Sequence, residues 1–256
     1  MSDLRLALRQ IKYENLAFWR NPPAAFFTVA FPLMFLVIFN LAFGNETAEV
    51  DGRTTRVSTF IIPQIVTLSL ISAQYTNVAL GIVFARDGGL LKRFRGTPLP
   101  AWAYMFGRIA HATLVGLLLV AVTVAAGALF YGVDVPTNTM PAFIVTLVVT
   151  AACFSALGLA ATTIVPNADA APAIINFSIL PLLFLDVFIR IEDAPVWLNA
   201  IRNFFPVRHT VKAMEAAFNP FATGSGFEWG HLAVMAIWGV VGAVIASRFF
   251  SWEPRR

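Results

Sequence analysis

Charge is what this sequence has least of. Only 12% of its 256 residues are Asp, Glu, Lys or Arg, while 58% are hydrophobic and the mean hydropathy is +0.74. A soluble domain carries about 25% charged residues, so this balance excludes a water-soluble globule and predicts a chain embedded in lipid. Cysteine is nearly absent too. Cys153 stands alone, which excludes an internal disulfide and a cysteine-based metal cluster, and it lies in an apolar run as a small packing residue. No G-x-x-x-x-G-K-[ST] phosphate loop occurs, so the chain cannot cradle ATP phosphates by that route. His111, His209 and His231 fall in different segments without His-x-x-x-His or His-x-x-Glu spacing, which argues against a membrane-embedded metalloenzyme. Residues 1–20 lack the pattern of a cleavable signal, and no polar stretch is long enough for a separate soluble domain.

What is present is a series of apolar runs. A single transmembrane domain over 1–256 is expected, an all-α integral membrane protein with six transmembrane helices at about 24–43, 59–84, 103–131, 142–165, 170–189 and 230–250. Twenty residues at 1.5 Å rise reach about 30 Å, the hydrocarbon thickness. Residues 1–23 form an interfacial helix, with Leu4, Leu8, Ile11 and Phe18 at helical spacing and Arg5, Arg9 and Lys12 on other faces. Asn21-Pro22-Pro23 ends it, and Pro32 lies inside the first span. Residues 44–58 read as a polar loop. Between the fifth and sixth spans, Val196–Phe205 and Val207–Phe218 are two short amphipathic pieces on either side of Pro206, which predicts a re-entrant or interfacial helical hairpin.

Twelve of the 18 lysines and arginines fall on the side that holds both termini and the loop after span two. The positive-inside rule makes that side cytoplasmic. The net charge of +4 reflects this loop bias rather than nucleic-acid binding. Polar side chains inside spans face the bundle, as helix–helix hydrogen bonds or as a path lining. Gln64, Gln74 and Asn77 in span two are such candidates. Asp186 and Arg190 stand four apart at the end of span five and are expected to pair, either structurally or as a gate in the path.

The loop after span two is a basic island, Phe84-Ala85-Arg86-Asp87-Gly88-Gly89-Leu90-Leu91-Lys92-Arg93-Phe94-Arg95-Gly96-Thr97-Pro98. Gly88-Gly89 lets the chain turn. Leu90, Leu91 and Phe94 then share one side of a short helix that Gly96 and the prolines end. The Gly-Leu-Leu-Lys-Arg-Phe-Arg-Gly-Thr-Pro run resembles the coupling-loop signature of type-2 ABC exporter permeases, the bacterial drug and antibiotic branch in particular. Phe205-Pro206-Val207-Arg208-His209 and Ala217-Phe218-Asn219-Pro220 resemble the hairpin region of the same permeases. Two positions depart from many members: Asp87 or its neighbours stand where a Glu is common, and Asp186-Val187 where a Ser-Gly pair is common.

The resemblance implies ATP-driven export across the bacterial cytoplasmic membrane. It implies a second permease chain, identical or different, and two separate ABC ATPase subunits. ATP and Mg would bind on those subunits, with no cofactor on this chain. It assigns coupling to the ATPase to Arg86, Asp87, Leu90, Leu91, Arg93, Phe94 and Arg95. The alternatives are a polysaccharide- or glycan-exporting permease of the same family and an ion-coupled secondary transporter. The latter usually shows inverted repeats and several intramembrane acids, whereas Asp186 is the one candidate acid here.

Overall fold

The computed structural model describes residues 3–43, 47–50, 53–96, 99–188, 195–219, 221–222 and 224–252. Arg190 and the side chain of Arg95 lie outside the described part. The elements are α1 (Asp3–Trp19), α2 (Pro22–Phe43), β1 (Thr47–Val50), β2 (Arg53–Arg56), α3 (Ser58–Ile71), α4 (Asn77–Asp87), α5 (Leu90–Arg95), α6 (Ala101–Tyr131), α7 (Met140–Ala161), α8 (Ala171–Leu183), α9 (Val196–Phe204), α10 (Pro206–Ala217) and α11 (Trp229–Phe249). A π-helical turn, Ser72–Thr76, joins α3 to α4 without a break, and a second, Phe184–Phe188, extends α8.

Among the described residues, five helices are long and apolar enough to cross a membrane: Ala25–Ala42, Ser58–Asp87, Trp102–Tyr131, Met140–Ala161 and Trp229–Phe249. Ala171–Val187 is a shorter apolar sixth. The protein is a multi-pass helical membrane protein. Its boundaries follow local chemistry. Pro22 opens α2 and Pro206 opens α10, at the position where a missing N–H costs nothing. The Pro22-Pro23 pair therefore starts a span as well as ending α1. Gly132, at φ 60°, closes α6 in the left-handed conformation that glycine tolerates, and the Val133 N–H returns to the Gly127 carbonyl.

Three expectations are corrected. The 44–58 interval is not only loop: β1 and β2 pair antiparallel, Thr47 opposite Arg56 and Val50 opposite Arg53. In the sequence between them stands Asp51-Gly52, a dipeptide type that favours tight hairpin turns. Arg56 ties this hairpin to the bundle by donating to the Tyr131 carbonyl at 2.9 Å. Span four ends at Ala161 rather than Val165, because residues 162–164 form turns whose amides return to the carbonyls of Leu159, Ala160 and Ala161. Span five ends in a π-helical turn rather than a regular helix.

The Ser58–Asp87 rod is the most buried of the long helices and forms the axis of the bundle. On one side it packs with α7, α8, α10 and α11 through Phe154, Ile175, Leu183 and Met235. Towards the β-hairpin end it packs with α6, α7 and α10 through Ile62, Leu70, Phe143, Met214 and Phe218. At the opposite end Leu91 and Tyr104 join Val78 and Ile82 in a separate cluster. Glycine sets the closest helix approach. A Cβ at Gly242 of α11 would stand 2.9 Å from backbone atoms of Ala156 and Leu157 in α7, so these two helices touch backbone to backbone.

Candidate functional site

The helix α5 is short, and what matters is how it is rooted. Gly88 and Gly89 turn the chain out of α4, Gly89 at φ 72°. Leu91 is then fully buried, and the Phe94 ring lies 5.1 Å from that of Tyr104. Leu90, Lys92 and Arg93 are exposed. The apolar face predicted for the helix is thus divided: Leu91 and Phe94 point into the bundle, and Leu90 stays with the basic face outside.

Arg86 is buried to 1% exposure although it is charged. Its guanidinium spans the end of α7, with Nη1 donating to the Thr162 carbonyl at 3.2 Å and Nη2 to the Val165 carbonyl at 2.8 Å. The last carbonyls of a helix have no partner within it and carry partial negative charge, so a cation is favoured there. Asp87 completes the clamp. One carboxylate oxygen accepts from Arg86 Nε at 3.3 Å and the other from the Ala168 amide at 2.5 Å. Residues 86 and 87, at the root of α5, therefore grip the whole turn between α7 and α8. The root of α5 is thus bonded both to the axial rod and to the turn that joins two further helices.

A second polar centre lies at the Ser72–Thr76 turn. Gln74 is fully buried, and its Oε1 accepts from the Ser155 hydroxyl of α7 at 2.7 Å. Its Nε2 has no partner among the described residues. Tyr75 and Ser178 of α8 share a hydrogen bond at 2.7 Å. Gly158 lets α7 approach: a Cβ there would stand 2.8 Å from the Tyr75 carbonyl. The extra residue in a π-helical turn rotates the residues after it, so Gln74 turns inward while Asn77 is exposed along a crevice beside α2. Of the polar candidates in span two, Gln74 therefore faces the bundle as expected and Asn77 does not. Gln64 lines a small gap near Phe35, Phe39 and Val187.

The third centre is at the β-hairpin end. Asp186 accepts from Arg202 Nε of α9 at 2.7 Å, and both residues are buried. The partner expected for Asp186 is Arg190, which lies outside the described residues. Arg202 returns to Asp186 because α9 and α10 fold back over the end of α8. This hairpin is also tied to α11, where the Trp238 indole donates to the Phe204 carbonyl at 2.8 Å. His209 and His231, expected to be separate, meet through their Nδ1 atoms at 2.8 Å. His209 Nε2 faces the Asn203 carbonyl at 2.8 Å and donates there, so in the neutral ring its Nδ1 accepts from His231. Among the described residues no group of three or more His, Cys, Asp or Glu side chains could hold a metal ion. The Arg86 clamp, the Arg202 partner and the histidine contact carry no local sequence signal, since each joins residues far apart in the chain.

A multi-pass bundle that lacks a phosphate loop and roots a short basic helix firmly at one end has the form of a transporter subunit driven by another protein. The family model for the ABC-2 type transporter matches residues 8–219, and the chain belongs to that family. It is a transmembrane subunit of an ABC transporter and not an enzyme, and the ATPase of such a system is a separate subunit. The inner membrane transport permease YadH of Escherichia coli (strain K12) is 24% identical over 206 residues, covering 78% of this chain and 72% of the relative. The daunorubicin resistance ABC transporter permease protein DrrB1 of Streptomyces coeruleorubidus is 27% identical over 208 residues, 77% of this chain and 69% of its own. The probable multidrug ABC transporter permease YbhR of E. coli K12 is 20% identical over 151 residues, 59% and 41% respectively.

Proposed function

We propose that this chain exports a drug-like, antibiotic or lipid-like molecule across the bacterial cytoplasmic membrane, as a single permease domain with both termini in the cytoplasm. Two copies, or this chain and a second permease, form the path. Two ATPase subunits dock below, each on an α5, and bind the ATP and Mg. The observation that carries this reading is the rooting of α5: Leu90, Lys92 and Arg93 face outward, while Leu91, Phe94, Arg86 and Asp87 hold the helix to the axial rod and to the α7–α8 turn. A docked ATPase that closes on nucleotide would move α5 and, through the clamp, three helices together. That movement biases the bundle between an inward-facing and an outward-facing state. Gln64, Gln74, Asn77, Asp186 and Arg190 are the path or gate residues in this reading. The drug-resistance names of the similar permeases support the substrate class, and the predominance of Lys and Arg on the α5 side supports the direction.

The experiment is co-expression with candidate ATPase subunits, purification, and uptake into inverted vesicles. The chain alone should hydrolyse no ATP. The complex should hydrolyse ATP and load daunorubicin or a similar amphipathic drug into inverted vesicles. Robust hydrolysis by the isolated chain, or ATP-driven loading of right-side-out vesicles, would contradict the reading.

A further inference from the structure

Two cavities join into one crevice. The first, about 400 Å³, lies between α1, α4 and α6, with Glu14, Phe18, Gly81, Arg108 and His111 in its walls. The second, about 300 Å³, lies between α2, α3 and α6, with Phe27, Phe31, Pro32, Leu68 and Leu119 in its walls. Thr28, Ala73 and Asn77 line both, so the two form a single groove. Along the axial rod it runs from Phe84 to Leu68, about 24 Å at 1.5 Å per residue, most of the ~30 Å hydrocarbon layer.

Its polarity changes from end to end. Around Phe27, Phe31 and Leu68 the one polar side chain on α3 is Ser69, whose hydroxyl is spent on the Ile65 carbonyl at 2.7 Å. Around α1 the walls carry charge. Both oxygens of Glu14 are engaged: one accepts from Gln10 at 3.0 Å and the other from Arg108 Nη1 at 2.6 Å. Arg108 Nη2 and Nε, His111 Nδ1 and the Asn77 amide have no partner among the described residues. The unsaturated groups are thus mainly donors, beside a carboxylate that is already neutralised. Gly81 makes this geometry possible, because a Cβ there would collide with the Arg108 guanidinium lying over it. Exposed Arg5, Lys12 and Arg20, on and just after α1, add positive charge on the same side of the molecule.

We propose that the crevice binds one anionic phospholipid from the leaflet beside α1. Its phosphate takes the open donors of Arg108, with His111 and Asn77, and one acyl chain follows Thr28 into the groove between α2 and α3. The match rests on three features together: donors left open at one end, an apolar channel at the other, and a channel of about 14 Å from Asn77 to Leu68 at 1.5 Å per residue, the depth of an acyl chain in one leaflet. This site is separate from α5, and of the residues assigned above to the path it shares only Asn77.

The test is native mass spectrometry of the purified chain after exposure to mixed micelles of dioleoylphosphatidylglycerol and dioleoylphosphatidylcholine in equal amounts. The wild type should retain one phosphatidylglycerol in preference. Gly81→Ala displaces the guanidinium without removing its charge, and His111→Phe keeps the ring that packs 5.5 Å from Phe18 while removing the nitrogen. Each should reduce the preference by about tenfold, the scale of one charge-assisted hydrogen bond. Thr28→Phe, at the junction of the cavities, should abolish retention of either lipid. Equal retention of the two lipids by the wild type, or an unchanged preference in both Gly81→Ala and His111→Phe, would overturn the site. Displacement by inorganic phosphate alone, with no effect of Thr28→Phe, would overturn the lipid assignment.

Discussion

Arg86 Nη2 lies 2.8 Å from the carbonyl oxygen of Val165, across 79 residues of chain. This contact joins the root of α5 to the turn that ends α7, and it places a full charge in the interior. Removing the guanidinium leaves the Thr162 and Val165 carbonyls without a donor. Arg86→Ala should lower stability by about 3–5 kcal/mol, the range for breaking a buried charged contact. Arg86→Lys should recover only part, because an ammonium on a flexible stem lacks the planar fork that spans both carbonyls. Thermal unfolding in detergent reads the difference, and an unchanged midpoint in Arg86→Ala would show that the clamp does not hold the turn.

The approach of α7 to the π-helical turn makes a similar demand. Gly158→Val places a side chain where even a Cβ would be 2.8 Å from the Tyr75 carbonyl, so the helices must separate. The expected cost is about 1–3 kcal/mol from overpacking. Gly230→Val in α11, where nothing lies within 4 Å, is the control and should stay within about 0.5 kcal/mol of wild type. Equal unfolding midpoints for the two variants would contradict the packing.

Asp186 and Arg202 offer a double-mutant cycle. Both are buried and meet at 2.7 Å, so Asp186→Asn and Arg202→Gln should each destabilise by about 3 kcal/mol or more. In the double variant the second change should add little, a coupling of about 3 kcal/mol, at the upper end of what contacting residues show. Additive losses in unfolding experiments would mean that the two side chains do not act as a pair.

Orientation is tested by labelling. In a Cys153→Ala background, a cysteine at Asn138, exposed at the α6–α7 connection, should react with an impermeant maleimide added to intact cells. A cysteine at Lys92, exposed on α5, should react only after the membrane is opened. The reverse pattern would place α5 outside and remove it from the reach of any ATPase.

Several features can be read from residue order, and their physical basis is plain. Apolar runs mark long helices, so the extents of α2, α6 and α11 follow from length and hydropathy. Gly88-Gly89, Gly96 and the two prolines after it bound α5 because those residues govern φ locally. The π-helical turns escape such a reading, because one inserted residue leaves the hydropathy pattern intact while rotating everything after it. That is why Asn77, expected to face the bundle as Gln74 does, is exposed instead. Residue order pairs Asp186 with a residue one helical turn away, since helical spacing is the only proximity that a sequence displays. Arg202 reaches it only through the fold of the hairpin. Arg86 resembles a loop charge, since nothing local reveals that it caps another helix. The β-hairpin is the one avoidable miss, as Asp51-Gly52 is a known turn signal.

The central claim is that a separate ATPase engages α5 from outside while Leu91 and Phe94 hold it from within. The most direct measurement replaces Leu90, exposed to 42%, with photoreactive benzoylphenylalanine in the intact complex. Illumination should cross-link this chain to the ATPase subunit, with a yield that changes when ATP is bound, and the same probe at Asn138 should give no such product. An intact complex in which the probe at Leu90 captures no ATPase, while the probe at Asn138 does, would contradict the account.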